Sequence, residues 1–156
     1  MECRKRRGSR AYSLAEFAVV LLIVSLMVSM IPPVYFHFMD EAKSEESEQG
    51  LEEIAGLIDD FYLKNGHYPD SLDEVFSPVP LDPWGRPYEY LRIDGGSVKG
   101  KGKLRKDKNL VPINSDYDLY SKGPDGESVS PLTANPSRDD IVRGRNGKFF
   151  GTATDY

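Results

Sequence analysis

The sequence predicts an α+β fold: one long N-terminal helix, its first half crossing a membrane, packed on a small antiparallel sheet with long loops toward the C-terminus. Three observations carry this. Phe17–Met39 is a run of 23 residues without a formally charged side chain, closed by Asp40. Leu51, Ile54, Leu57, Ile58, Phe61 and Tyr62 then recur at helical spacing, the apolar face of an amphipathic helix. Beyond Asn65-Gly66, a left-handed stop signal, the chain turns to short alternating segments broken by Gly and Pro.

In helix, residues 17–39 would span about 35 Å, against a hydrocarbon core of about 30 Å. A cleaved secretory signal has a shorter apolar region, followed by small residues at its cleavage site. Pro32-Pro33-Val34-Tyr35-Phe36 does not supply one, so the segment reads as a permanent single-pass anchor. Pro32 and Pro33 remove backbone donors and are expected to bend or loosen the helix. Glu16 stands at the mouth of this run. A lone carboxylate at a membrane helix centre costs about 2.5–3.5 kcal/mol, so Glu16 either stays wet at the interface or has a partner.

Charge divides the chain. Its formal net charge is −5, yet residues 1–11 carry Arg4, Lys5, Arg6, Arg7 and Arg10 against Glu2 alone. The basic leader is expected to stay cytoplasmic while the acidic remainder is translocated. An acidic body argues against nucleic acid as a partner. Cys3 is the only cysteine, which excludes an intrachain disulfide.

Within the head, residues 40–50 read as an exposed acidic continuation of the helix. Asp70 or Ser71 is placed to cap a short helical turn. His67 has no paired Cys or Ser and no second nearby His to place it, and reads as an exposed loop residue. Asp82-Pro83-Trp84-Gly85-Arg86-Pro87 is a turn feeding a strand over Tyr88–Leu91, with Trp84 covering the core. Asp94-Gly95-Gly96 is a turn. Lys99, Lys101, Lys103, Arg105, Lys106 and Lys108 read as a solvated hairpin whose charges discourage edge pairing. Val111–Tyr120 is expected to return as a strand, with Pro112 at an edge or bulge. Phe149 and Phe150 either dock on the head or form a subunit contact.

The stretch Arg10-Ala11-Tyr12-Ser13-Leu14-Ala15-Glu16-Phe17 resembles the processing site of type IV prepilins and pseudopilins. That family has a basic leader, a small residue (nearly always Gly), an aromatic or Met, a hydroxyl residue, Leu, any residue and Glu, then about twenty apolar residues. Ala11 stands for the usual Gly and Ser13 for Thr. The resemblance implies cleavage between Ala11 and Tyr12 by a prepilin peptidase, and N-methylation of Tyr12. It implies a pilin-like fold with residues 1–11 as leader, 12–39 as the transmembrane and assembly helix, and 40–156 as the extracytoplasmic head. Glu16 would then meet the terminal ammonium of a neighbouring subunit, fixing the stagger of a filament. The segments Gly66-His67-Tyr68-Pro69 and Asp82-Pro83-Trp84-Gly85-Arg86-Pro87-Tyr88 are similar to segments of the major pseudopilins of type II secretion systems.

The resemblance extends to a loop. Ser121-Lys122-Gly123-Pro124-Asp125-Gly126, followed by Asp139-Asp140-Ile141, is similar to the calcium loop of the major pseudopilins. It implies Asp125, Asp139, Asp140 and the Lys122 carbonyl as candidate Ca²⁺ ligands. Ca²⁺ takes six to eight oxygens from flexible loops, and binding would contribute to folding of the head. Arg138 stands where the family has its first aspartate.

Taken together, these features imply a structural subunit of a type II secretion pseudopilus in a bacterial inner membrane, N-terminus cytoplasmic and head periplasmic. The partners implied are further copies in a filament, minor pseudopilins, the inner-membrane secretion platform and the prepilin peptidase. No Ser/His/Asp, Cys/His or metal-His grouping suggests an enzyme. A type IV pilus subunit, acting in adhesion, motility or DNA uptake, shares the leader and span. Such subunits often close a C-terminal loop with a disulfide, which Cys3 alone cannot make. A membrane-anchored extracytoplasmic binding protein is the alternative of another class; it would retain residues 1–11.

Overall fold

The computed structural model describes residues 13–95 and 102–156, with backbone alone at 30–34, 36 and 37. The chain falls into two compact units that divide between Phe38 and Met39. Helix α1 runs Leu14–Asn65. Its assignment continues through Pro32 and Pro33 without a break. The two prolines therefore do not interrupt the helix, although neither can donate a backbone bond. Among the described residues, no helix is long and apolar enough to cross a membrane.

In the second unit, four strands form an antiparallel meander: β1 Glu89–Arg92, β2 Tyr117–Ser121, β3 Ile141–Gly144 and β4 Phe149–Thr152, in spatial order β1-β2-β3-β4. Tyr90 faces Leu119 across the first pair, Tyr120 faces Val142 across the second, and Arg143 faces Phe150 across the third. The β3–β4 turn places Arg145 and Asn146 at φ +53° and +54°. Two consecutive left-handed residues make the primed turn whose twist matches a hairpin.

The C-terminal part of α1 packs on one face of this sheet. Leu51, Ile54, Ala55 and Ile58 are buried against Tyr88, Tyr117, Leu119, Ile141 and Leu72. Burying each large aliphatic chain is worth about 1.5–3 kcal/mol. Leu57 and Tyr62, expected in the same stripe, are instead 48% and 37% exposed. The buried arc is narrower than the apolar spacing suggested, and Ser47 shares it at full burial. Ile113, Leu132, Val142 and Ala153 form a second cluster. Ile141 and Val142 serve different clusters because successive strand side chains point to opposite faces.

The helix stops as anticipated. Asn65 is its last residue, and Gly66 at φ +77° donates to the Tyr62 carbonyl at 2.8 Å. Ser71 precedes a short 3₁₀ turn, Leu72–Glu74, without a side-chain cap. Trp84 packs on the core, Phe150 joins it, and Phe149 stacks edge-on against Tyr156. His67 is exposed.

Residues 102–116 depart from expectation. They form no regular hairpin; Lys106 makes isolated bridges to Pro112 and Pro131. The strand expected over 111–120 is confined to Tyr117–Ser121. Asn114 and Asp116 spend their polar groups on side-chain bonds to Asp118 and Arg143. Arg105, assigned to a solvated basic run, is 2% exposed. Lys99 and Lys101 lie outside the described residues.

Candidate functional site

Two places answer to the residues singled out by sequence: the start of α1 and the C-terminal loops. At the first, Ser13 and Glu16 close a reciprocal pair of bonds. The Ser13 N–H donates to Glu16 Oε2 at 2.9 Å, and the Glu16 N–H donates to Ser13 Oγ at 3.2 Å. The Phe17 N–H reaches the Ser13 carbonyl at 3.1 Å, the first full helical bond. This is a capping box, which satisfies donors that a helix start otherwise leaves unpaired. A carboxylate in the first turn also complements the positive end of the helix dipole. Glu16 thus has a partner within its own chain. The Ser-x-x-Glu spacing is the sequence signal for it. A carboxylate offers about four lone-pair directions, so capping leaves Glu16 room for a cation. Ala11 and Tyr12 lie outside the described residues.

Downstream, Phe17, Val19, Val20, Leu21, Leu22 and Leu26 are exposed in the isolated chain, by 52% to 62%. They are distributed around the helix rather than along one stripe. A helix apolar on all sides is stable only where lipid or other helices cover it. Its hydroxyls suit such cover: Ser25 and Ser29 donate to the carbonyls of Leu22 and Leu26 at 2.8 and 2.7 Å. These two hydroxyls are thereby satisfied without water.

In the C-terminal loops, each of the four candidate metal donors has a partner within the chain, although Asp140 Oδ1 is buried without a hydrogen-bond partner. The Lys122 carbonyl accepts from Gly126 N–H at 3.2 Å. Asp125 Oδ1 accepts from Glu127 N–H at 2.7 Å, and Asp139 Oδ2 accepts from Asp125 N–H at 3.1 Å. Asp140 turns inward, fully buried, onto the guanidinium of Arg105. Burial pushes its carboxyl up to about 6, although Arg105 beside it pulls the other way. Among the described residues, no group of three acidic, His or Cys side chains could hold a metal ion. The donor set as placed does not fit a calcium cage, which needs six or more converging oxygens.

Two further buried groups escaped the sequence reading. Arg143 is 2% exposed, forks onto both oxygens of Asp116 at 2.9 and 2.6 Å, and lies 3.8 Å over the Tyr117 ring. Asp82 Oδ2 accepts from Ser121 Oγ at 2.6 Å, while its Oδ1 accepts from the Trp84 and Arg86 N–H groups. The Asp-Pro-Trp-Gly segment is therefore a side-chain-tied turn anchored to β2. Asp82 N–H reaches the Arg86 carbonyl at 2.7 Å, closing it.

The chain is similar over most of its length to curated proteins named type II secretion system core protein G. The protein from Pseudomonas aeruginosa is 26% identical over 144 residues, covering 79% of this chain and 89% of that one. That from Klebsiella pneumoniae is 28% identical, covering 89% and 96%. That from Escherichia coli is 24% identical, covering 76% and 83%. No family model matches the chain, and no solved structure matches it.

Proposed function

We infer that this chain, a pilin-like pseudopilin most similar to the major pseudopilins of type II secretion systems, is a structural subunit of a secretion pseudopilus. The observation that carries this is the similarity, over most of this chain and most of each relative, to proteins that bear the same secretion-system name. The α+β architecture agrees with it: a 52-residue helix followed by a four-stranded meander.

The role is one of assembly rather than catalysis. Residues 17–39 serve as both membrane anchor and filament core, because the same apolar surface suits lipid before assembly and neighbouring helices after it. Residues 1–11 hold the N-terminus in the cytoplasm, and the head lies in the periplasm. A prepilin peptidase removes the leader between Ala11 and Tyr12 and methylates the new amine. Glu16 then pairs with the Tyr12 ammonium of an adjacent copy, while its bond to Ser13 keeps the carboxylate aimed along the helix start. Minor pseudopilins and the inner-membrane platform of the export machine are the remaining partners.

Two measurements test this reading. Intact mass of the membrane-extracted protein should show loss of residues 1–11; a chain retaining them would support the anchored binding protein instead. Affinity purification after cross-linking should recover secretion-platform components. Recovery of pilus-assembly components in their place would move the chain to the type IV pili.

A further inference from the structure

The loops that close the head hold a cation of their own. Arg105 precedes the Lys106 bridge, and its side chain is 3% exposed; that of Asp140 is fully buried. Arg105 Nη1 donates to Ser128 Oγ at 2.6 Å and to the Val129 carbonyl at 2.7 Å. Nη2 donates to Asp140 Oδ2, and Ser128 Oγ donates to that same oxygen at 2.7 Å. The guanidinium carbon sits 4.3 Å from the Tyr120 ring centroid. The Arg105 backbone is tied as well, its N–H donating to Asp118 Oδ2 at 2.8 Å.

A hydroxyl and a backbone carbonyl from one loop and a carboxylate from another thus converge on one positive charge. Those are the donor types that a hard divalent ion gathers. The adjoining turn is held in a similar way. Arg86 Nη2 donates to the Gly123 carbonyl. A Cβ on Gly126 would lie 3.0 Å from Arg86 Cζ and closer to Nη1, so the guanidinium rests against that turn. Arg105 takes Oδ2 of Asp140 and leaves Oδ1 buried without a hydrogen-bond partner; a second cation there would be repelled by the guanidinium within the same buried space.

We propose that Arg105, with Arg86 beside the neighbouring turn, is the resident cation of the C-terminal loops, so that the head folds and stays folded without a divalent metal. A charged side chain linked through the backbone does the tying that the family resemblance assigns to Ca²⁺. This concerns the head alone and does not rest on the pseudopilus reading.

The test uses the full chain in detergent micelles, melted with EDTA and with several millimolar calcium chloride, above the roughly 10⁻⁴–10⁻³ M range of weak extracellular sites. The same melting temperature is expected in both. Arg105→Met should melt about 10 °C lower with or without calcium, because it strands a buried carboxylate. The double variant Arg105→Met/Asp140→Leu should recover at least half of that loss. A wild-type chain that melts several degrees higher in calcium than in EDTA would overturn the proposal, as would Arg105→Met melting like wild type. If Arg105→Met does not fold, the wild-type comparison decides alone. Either overturning result leaves the pseudopilus reading standing, since that depends on processing and partners.

Discussion

Gly123 and Asp139 meet backbone to backbone: a Cβ built on Gly123 would stand 2.7 Å from the Asp139 carbonyl carbon and 3.0 Å from its Oδ2. Gly123 also holds φ +61°, a left-handed conformation that costs any side chain. The two loops can lie together only because no side chain stands between them. Gly123→Ala is expected to lower stability by about 2–4 kcal/mol. Urea unfolding followed by the fluorescence of Trp84 reads this directly, and an unchanged midpoint would show that the loops can part at little cost.

Gly50 presents the opposite conflict on α1. Alanine in a helix interior is worth roughly 1 kcal/mol over glycine. A Cβ there, however, would lie 3.3 Å from Tyr88 Cζ and closer still to its hydroxyl. Tyr88 is buried and reaches toward the Ser47 carbonyl at 3.5 Å. The clash should win, with Gly50→Ala destabilising by about 1–2 kcal/mol. Tyr88→Phe in the same background should restore part of the loss. No rescue would mean that the ring, not the hydroxyl, sets the contact.

Arg143 is a buried charged residue that ties β3 to the start of β2. Removing it leaves Asp116 without its fork and bares the face of Tyr117. Arg143→Met should cost about 3–5 kcal/mol, the usual penalty for breaking one side of a buried pair. Arg143→Lys should recover little, because an ammonium can neither fork nor stack as a guanidinium does. Full recovery by lysine would contradict the geometry.

Burial raises the hydroxyl pKa of Tyr88 and Tyr117. Below about pH 10 both folded and unfolded chains keep these protons, and the contribution to stability is fully present. Above it the unfolded chain ionises while the folded chain holds on, so stability falls as pH rises. Each such tyrosine adds a slope of about 1.4 kcal/mol per pH unit. Urea midpoints should therefore decline between about pH 9 and pH 11, with tyrosinate absorbance appearing at the unfolding transition. A flat midpoint over that range would show these rings to be open to solvent.

Much of this molecule is readable from residue spacing. The long helix, its stop at Asn65-Gly66, the strand after Pro87 and the docking of Trp84 and Phe150 all follow local patterns. What escaped depends on partners distant in sequence. Arg105 looks like its lysine neighbours until Asp140, 35 positions on, is brought beside it. Arg143 acquires its role only when β2 places Asp116 and Tyr117 against it. Leu57 fits the helical period yet faces outward, because period fixes a stripe but not how wide an arc the sheet covers. Ser13-x-x-Glu16 is a local helix-start pattern, legible from its spacing alone.

The central claim is that this chain assembles through α1 into the pseudopilus of a secretion machine. Glu16→Gln tests it most sharply, because glutamine preserves the capping box with Ser13 while removing the charge that a neighbour's amine would meet. The measurement is the amount of exported protein in the medium from cells whose only copy of the chain carries Glu16→Gln, beside deletion and wild-type strains. The account predicts retention of exported protein in the periplasm in both the deletion and the Glu16→Gln strains, with the variant inserted in the membrane at wild-type level. Undiminished export from the deletion strain would contradict the secretion role, and undiminished export from Glu16→Gln would contradict assembly through that charge.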